Sequence, residues 1–206
     1  MVWGGQGTPA TSSVSNILYG YSDKVQMLDY DPEKAKALLA EAGYPDGLDT
    51  TIYVRDQQLF QDAGEALANQ LADGGIRAEV KVVEWAKLLV DLENKELAIY
   101  IMNLGAPTGD AGDGLHRYFH STSPFSSNTA FYKSEEFDAM LDDANAEIDE
   151  AARLEKLAKC QQYAIDDAPW IPILNNESLF LSTAKVKGFR IHPTAYMFFK
   201  DVYAEA

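Results

Sequence analysis

The stretch "YDPEKAKALLAEAGYPDG", residues 30–47, encodes a helix with both of its ends marked. Asp31 is a good N-cap, and Pro32 suits the first helical position, where a missing N–H costs nothing. Ala35, Leu38, Leu39 and Ala42 fall at i, i+3, i+4 and i+7 and predict one inward apolar stripe. Gly43 can take the left-handed conformation that ends a helix, and Pro45-Asp46-Gly47 make a turn.

Working outward, "TTIYV" (50–54) reads as a strand, and residues 58–73 as an amphipathic helix with Phe60, Ala63, Leu67 and Leu71 on one face. Gly74-Gly75 stop it. "IRAEVKVV" (76–83) alternates with period two, as a half-buried strand does, and "WAKLLVDLE" (85–93) reads as a short helix. "LAIYIMN" (97–103) reads as a fully buried strand. This β-α-β-α-β order with short connections predicts an α/β fold with a mostly parallel sheet flanked by helices. Further on, Ser134 caps a helix whose stripe is Phe137, Met140, Leu141 and Ala144. Asp149 opens another, with Leu154, Leu157, Ala158 and Ile165 inward and Pro169 at its end. "WIPIL" (170–174), "SLFLST" (178–183) and "GFRIH" (188–192) read as short strands.

Composition narrows the function. A net charge of −15 and a pI near 4.5 argue against nucleic acid, which requires clustered Lys and Arg. Cys160 is the only cysteine, so the chain has neither an internal disulfide nor a cysteine-based zinc site. No stretch approaches the ~20 apolar residues of a membrane span. The opening "MVWGGQGTPATSSV" has neither the basic nor the apolar region of a signal peptide and reads as a linker.

"GAPTGDAGDGL" (105–115) holds four glycines and two aspartates directly after the 97–103 strand. It is not a phosphate loop: no Lys-Ser/Thr pair follows the glycines, and Asp110 and Asp113 would repel phosphate. The glycine spacing is not that of a dinucleotide-binding fold, and the alternating oxygen ligands of a calcium loop are missing. Two readings remain open: a solvated turn, or the wall of a ligand cleft at the C-terminal end of a strand, with an Asp able to pair with an ammonium. His116 and His120 share a helix face but have no convincing third metal ligand, and no cofactor is indicated. Arg55, just after the 50–54 strand, can pair a carboxylate bidentately. Of the aromatics Trp85, Tyr118, Phe119, Phe131, Tyr132, Trp170 and Tyr196, Trp85 and Tyr132 lie beside strand ends or loops, where a cleft would be.

The 30–47 stretch strongly resembles the signature of the C-terminal lobe of the peptide-type (family 5) extracytoplasmic solute-binding proteins of ABC transporters. The same order continues in "ALANQLADGGIRAEVKVVEW" (66–85), the 97–103 strand, the Gly/Asp loop and "NTAFYKSEEFDAMLDDA" (128–144). "AARLEKLAKCQQYAIDDAPWIPIL" (151–174) and "VKGFRIHP" (186–193) complete it. "TGDA" (108–111) with "NTAFY" is similar to the glutathione-binding subgroup. Gly112-Asp113 stand where that subgroup has Asp-Trp, and Asn103-Leu104 where it has Gly-Trp.

The resemblance implies a periplasmic-binding-protein type II lobe. Residues 1–29 would cross from an absent N-terminal lobe, and 30–206 would form the C-terminal ligand-binding lobe with the return segment at its end. It implies capture of a small peptide-like solute (dipeptide, oligopeptide or glutathione) between two lobes and delivery to an ABC permease, in a periplasmic or lipid-anchored protein without enzymatic activity. Asp110 is similar to the anchor for a peptide's amino group; Thr108, Gly109, Asp113, Arg55, Trp85 and Tyr132 are the other expected ligand contacts, and no metal is expected. One wall alone is expected to bind weakly or not at all. The alternatives are an enzyme using Asp110 and Asp113 as paired carboxylates, and a stand-alone one-lobe interaction protein.

Overall fold

The computed structural model describes residues 7–177, 179–192 and 196–205. Within it the chain forms two compact units, one of Asp29–Leu104 and one combining residues 7–28 with 105–205.

The first unit begins with helix α1 (Pro32–Glu41). Asp31 caps it, accepting the Lys34 N–H at 2.9 Å, and Gly43 ends it at φ 91°. The stripe expected to point inward is a correction: no residue of α1 is buried, and Leu38 is 54% exposed. Of that stripe, only Ala35 and Leu39 are half-buried, beside Gly74 and Gly75. Strands β2 (Leu48–Arg55) and β3 (Ile76–Val83) pair in parallel over their full length, from Leu48 opposite Ile76 to Arg55 opposite Val83. Helix α2 (Gln58–Asp73) connects them and packs Phe60 and Ala63 against the sheet. After α3 (Trp85–Glu93), strand β4 (Ile99–Tyr100) joins the far side of β2, also in parallel, giving the order β3-β2-β4. The 97–103 stretch is therefore a much shorter ladder than its apolar run predicts, and of its residues only Ile101 is buried. The core of this unit is Ile52, Val54, Phe60, Ala63 and Ile101.

The second unit is helical. Helices α4 (Ala111–Phe119), α5 (Glu135–Ala146) and α6 (Glu150–Asp166) enclose Leu115, Phe119, Phe137, Leu141, Ala144, Leu157, Cys160 and Ala164. Ser134 caps α5 through the Phe137 N–H at 3.2 Å, and Asp149 caps α6 through the Ala152 N–H at 2.9 Å. Burial pushes the Cys160 thiol up to about 11, which leaves it an inert packing group. Helix α4 is the main departure from the sequence reading: the second half of the expected Gly/Asp loop is its first turn. The C-terminal strands are shorter than expected. Strand β5 (Leu174–Asn175) pairs with β1 (Thr8–Pro9), β6 (Val186–Lys187) with β9 (Tyr203–Ala204), and β7 (Arg190–Ile191) with β8 (Met197–Phe198). Residues 179–183 form no strand, and Ser178 of the "SLFLST" stretch lies outside the described residues.

Gln161 of α6 ties residues 12–22 to the bundle. Its side chain is fully buried, yet every polar atom is used. Oε1 accepts from the Ser12 hydroxyl (2.9 Å) and the Ser22 N–H (3.0 Å); Nε2 donates to the Gly20 and Leu157 carbonyls (2.8 and 3.0 Å). Replacing it strands several buried groups at once, and each lost partner costs on the order of 1–3 kcal/mol. Gln161→Leu is accordingly expected to destabilise this unit by about 2–4 kcal/mol in urea unfolding. The Ser22 amide should lose its hydrogen-exchange protection selectively, and retained protection would show that the network does not hold the segment.

Candidate functional site

Two features collect the residues expected to meet a ligand, one in each unit. In the first unit, Arg55 ends β2, and its guanidinium lies over two rings: its carbon is 3.9 Å from the centroid of Phe60 and 5.5 Å from that of Trp85. Strand β2 delivers the arginine, and the first turns of α2 and α3 deliver the rings. Arg55 Nε is buried with no hydrogen-bond partner, and among the described residues no carboxylate pairs with this arginine. The aromatic faces favour the cation and hold it in place; Nε is sealed from solvent, and it is the terminal Nη groups that are left for an external acceptor. Arg55 and Trp85 are thus brought together; Phe60 was expected only as a core residue.

In the second unit, the Gly/Asp loop leads into α4. Gly109 has φ 75°, a left-handed backbone that glycine adopts without strain. Its carbonyl accepts the Tyr19 N–H (2.9 Å), and the Tyr19 carbonyl accepts the Ala111 N–H (2.8 Å), so Asp110 is bracketed by backbone bonds to the 7–28 segment. Asp110 is the N-cap of α4. Its Oδ1 accepts the N–H groups of Gly112 (2.7 Å) and Asp113 (3.3 Å). Arg153 of α6 reaches the same carboxylate with both terminal nitrogens, Nη1 to Oδ2 at 3.1 Å and Nη2 to Oδ1 at 2.9 Å. Burial alone would raise the carboxyl, but Arg153 and the two backbone donors outweigh it and hold Asp110 below the usual carboxylate range. That is the opposite of what a general acid working near neutrality needs. The Asp113 Oδ2 accepts the Thr108 hydroxyl at 2.8 Å. Thr108, Gly109, Asp110 and Asp113 therefore form one hydrogen-bonded turn.

Tyr132 lies elsewhere in this unit. Its ring packs edge-on against Phe119, at the opposite end of α4 from Asp110, and its hydroxyl donates to Asp167 at 2.6 Å. Burial and the Asp167 carboxylate push its hydroxyl well above the ordinary tyrosine range. The structure does not bring it to the Asp110 turn. His116 and His120 stack at 4.4 Å, and His120 lies between Asp138 (3.8 Å) and Asp142 (3.5 Å). Among the described residues no group of three or more His, Cys, Asp or Glu side chains is placed to hold a metal, and no helix is long and apolar enough to cross a membrane.

Arg153 is the residue that sequence reasoning missed. The available signal was its position one turn before Leu157 and two before Gln161, on the inward stripe of a helix where an unpaired arginine would be costly.

The parallel βαβ unit and the helical bundle match the architecture of periplasmic binding proteins of type II. Over 98% of its length the chain superposes on 40% of the "ABC transporter-associated periplasmic binding protein DppA from Helicobacter pylori in complex with peptide STSA", with a TM-score of 0.86 and 27% identity. A family profile described as "Bacterial extracellular solute-binding proteins, family 5 Middle" matches residues 1–126, and the chain belongs to that family. It is 30% identical to heme-binding protein A of Haemophilus influenzae and 30% identical to the glutathione-binding protein GsiB of Shigella flexneri, over 98% of this chain in each case. It spans 38% and 41% of the length of those two proteins. Identity therefore does not separate the heme-binding from the glutathione-binding relative.

The two glycines inside α4 have different surroundings. A Cβ on Gly112 would sit 2.3 Å from the Asn145 Oδ1 and 2.9 Å from the Arg153 Nη2; one on Gly114 would meet Ala106 Cβ at 3.4 Å, an ordinary contact. Gly112→Ala is expected to cost about 1–3 kcal/mol through overpacking against the Asp110–Arg153 pair. Gly114→Ala is expected to gain about 0.5–1 kcal/mol of helix stability. Opposite shifts in the urea midpoint, two residues apart, check the close approach; a loss for both would disprove the difference.

Proposed function

We propose that this chain supplies ligand-binding surface to the substrate-binding component of an ABC importer, and that its solute is small and peptide-like: a dipeptide, an oligopeptide or glutathione. The observation that carries the reading is Arg55, a half-buried cation held over Phe60 and Trp85 that no carboxylate among the described residues pairs. A solute carboxylate would pair with its terminal Nη groups through charge-assisted hydrogen bonds. In the other unit, the turn of Thr108, Gly109, Asp110 and Asp113 offers acceptors to a solute donor, Asp110 foremost. Membership of an extracellular solute-binding family, and relatives named for heme and glutathione binding, support the reading.

The 38–41% coverage of those relatives supports a second lobe from a longer receptor, closing by hinge motion before the solute passes to a permease. Export to the periplasm, with or without a lipid anchor, belongs to the same proposal.

Isothermal titration of the longer receptor with a dipeptide, glutathione and haemin tests the class. The dipeptide or glutathione should bind. Arg55→Gln should weaken binding of a free-carboxylate dipeptide by about 1.5–3 kcal/mol, on the order of 10- to 100-fold, and leave a carboxamide analogue nearly unchanged. Binding of haemin alone, or equal losses for both peptides, would overturn the carboxylate role. The isolated chain should bind each solute much more weakly than the receptor, since a single wall leaves the solute's polar groups in water.

A further inference from the structure

The Asp110 carboxylate carries more donors than a helix cap needs. A carboxylate offers about four lone-pair positions. Oδ1 serves three donors: the N–H groups of Gly112 and Asp113 and the Arg153 Nη2. Oδ2 serves only the Arg153 Nη1. One lone pair on Oδ2 therefore stays open, and the Asp110 side chain keeps 29% of its surface in solvent, against 19% for Arg153. The guanidinium is itself fixed. It lies 5.8 Å from the Tyr19 ring centroid, and the Tyr19 hydroxyl donates to Glu150 at 2.8 Å. The absent side chain at Gly112 is what lets Arg153 approach.

We infer that Arg153 is a specificity-determining positioning residue, which presents Asp110 to a solute as an oriented hydrogen-bond acceptor with most of its negative charge already cancelled. A bare carboxylate favours an ammonium over a neutral donor by Coulomb attraction. A carboxylate bidentately paired to a guanidinium about 3 Å away loses most of that preference, because an arriving ammonium meets the arginine's charge at nearly the same range. The turn then takes an amide N–H or a hydroxyl almost as well as an ammonium. Arg153 sets the class of solute accepted here without touching the solute. The inference rests on the receptor reading above.

Two measurements test it. The first titrates the Asp110 carboxyl carbon by NMR in the full chain, in the parent and in Arg153→Met. The parent should titrate below the usual carboxylate range, and Arg153→Met should bring the midpoint up towards it. Asp113 and Glu150 are the other carboxylates in this cluster to be assigned separately. The second compares affinities of the longer receptor for a dipeptide and its N-acetylated analogue. The parent should discriminate by less than about tenfold, and Arg153→Met should increase the preference for the free amine by at least about tenfold. Arg153→Lys, which keeps the charge, should stay near the parent ratio. An unchanged Asp110 midpoint in Arg153→Met overturns the inference whatever the binding data show. A normal midpoint shift with an unchanged selectivity ratio overturns the specificity role. Failure of the parent to bind either peptide, with the NMR shift intact, sinks the receptor reading and takes the solute half of the inference with it.

Discussion

The carboxylate of Asp110 is where three separate pieces of the second unit meet. It starts α4, it draws α6 in through Arg153, and its neighbours on either side bond to the backbone of Tyr19. These partners solve one problem. The first N–H groups of a helix lack intrahelical acceptors, and an arginine on an inward helix face lacks water. One carboxylate satisfies both needs in a single geometry. The α4–α6 crossing, the path of the 7–28 segment and the shape of the 105–110 turn all follow from that geometry. Gln161 repeats the arrangement two turns further along α6, with an amide in place of a carboxylate, and fixes the Ser12–Ser22 stretch to the same helix.

Such dual-purpose groups explain what the sequence made legible and what it hid. The α1-β2-α2-β3-α3 run was legible because its signals are local: Asp31 and Pro32 open α1, Gly74-Gly75 close α2, and β3 alternates along its own length. Helix α4 was hidden because Gly112 and Gly114 are poor helix residues by propensity, and propensity was the only local evidence available. The reason for Gly112 is not local at all. It is the proximity of Asn145 and Arg153, residues 33 and 41 positions away in the chain. The exposure of α1 was hidden for a related reason, since periodicity shows that a helix has an apolar face but not what lies against it. The short strands after residue 170 owe their pairing to segments far away in sequence, such as β1 with β5.

The expected site residues divide along the same line. Arg55 and Trp85 were legible as candidates because each sits at the end of an element of the parallel sheet, where loops carry ligands. Their meeting depends on Phe60, whose sequence position announced only a core residue. Tyr132 was legible as an aromatic near a loop, yet its hydroxyl is occupied by Asp167 and its ring by the Phe119 cluster.

Acidity alone is a poor guide to what an aspartate offers. With a net charge of −15, this chain has many carboxylates, and several of them cap helices or pair with a cation, as Asp31, Asp149, Asp49 and Asp91 do. Asp110 is heavily constrained: two backbone donors and a forked cation fix the plane of its carboxyl group. Over-determination keeps the acceptor pointing one way, so little reorganisation would be needed by any donor that approached it. It also removes the long-range field that an unpaired carboxylate would project. Selectivity at such a group comes from direction and distance more than from charge. The contrast with Arg55 is then physical: one unit carries a cation whose charge is uncompensated by any described carboxylate, the other an anion compensated from within.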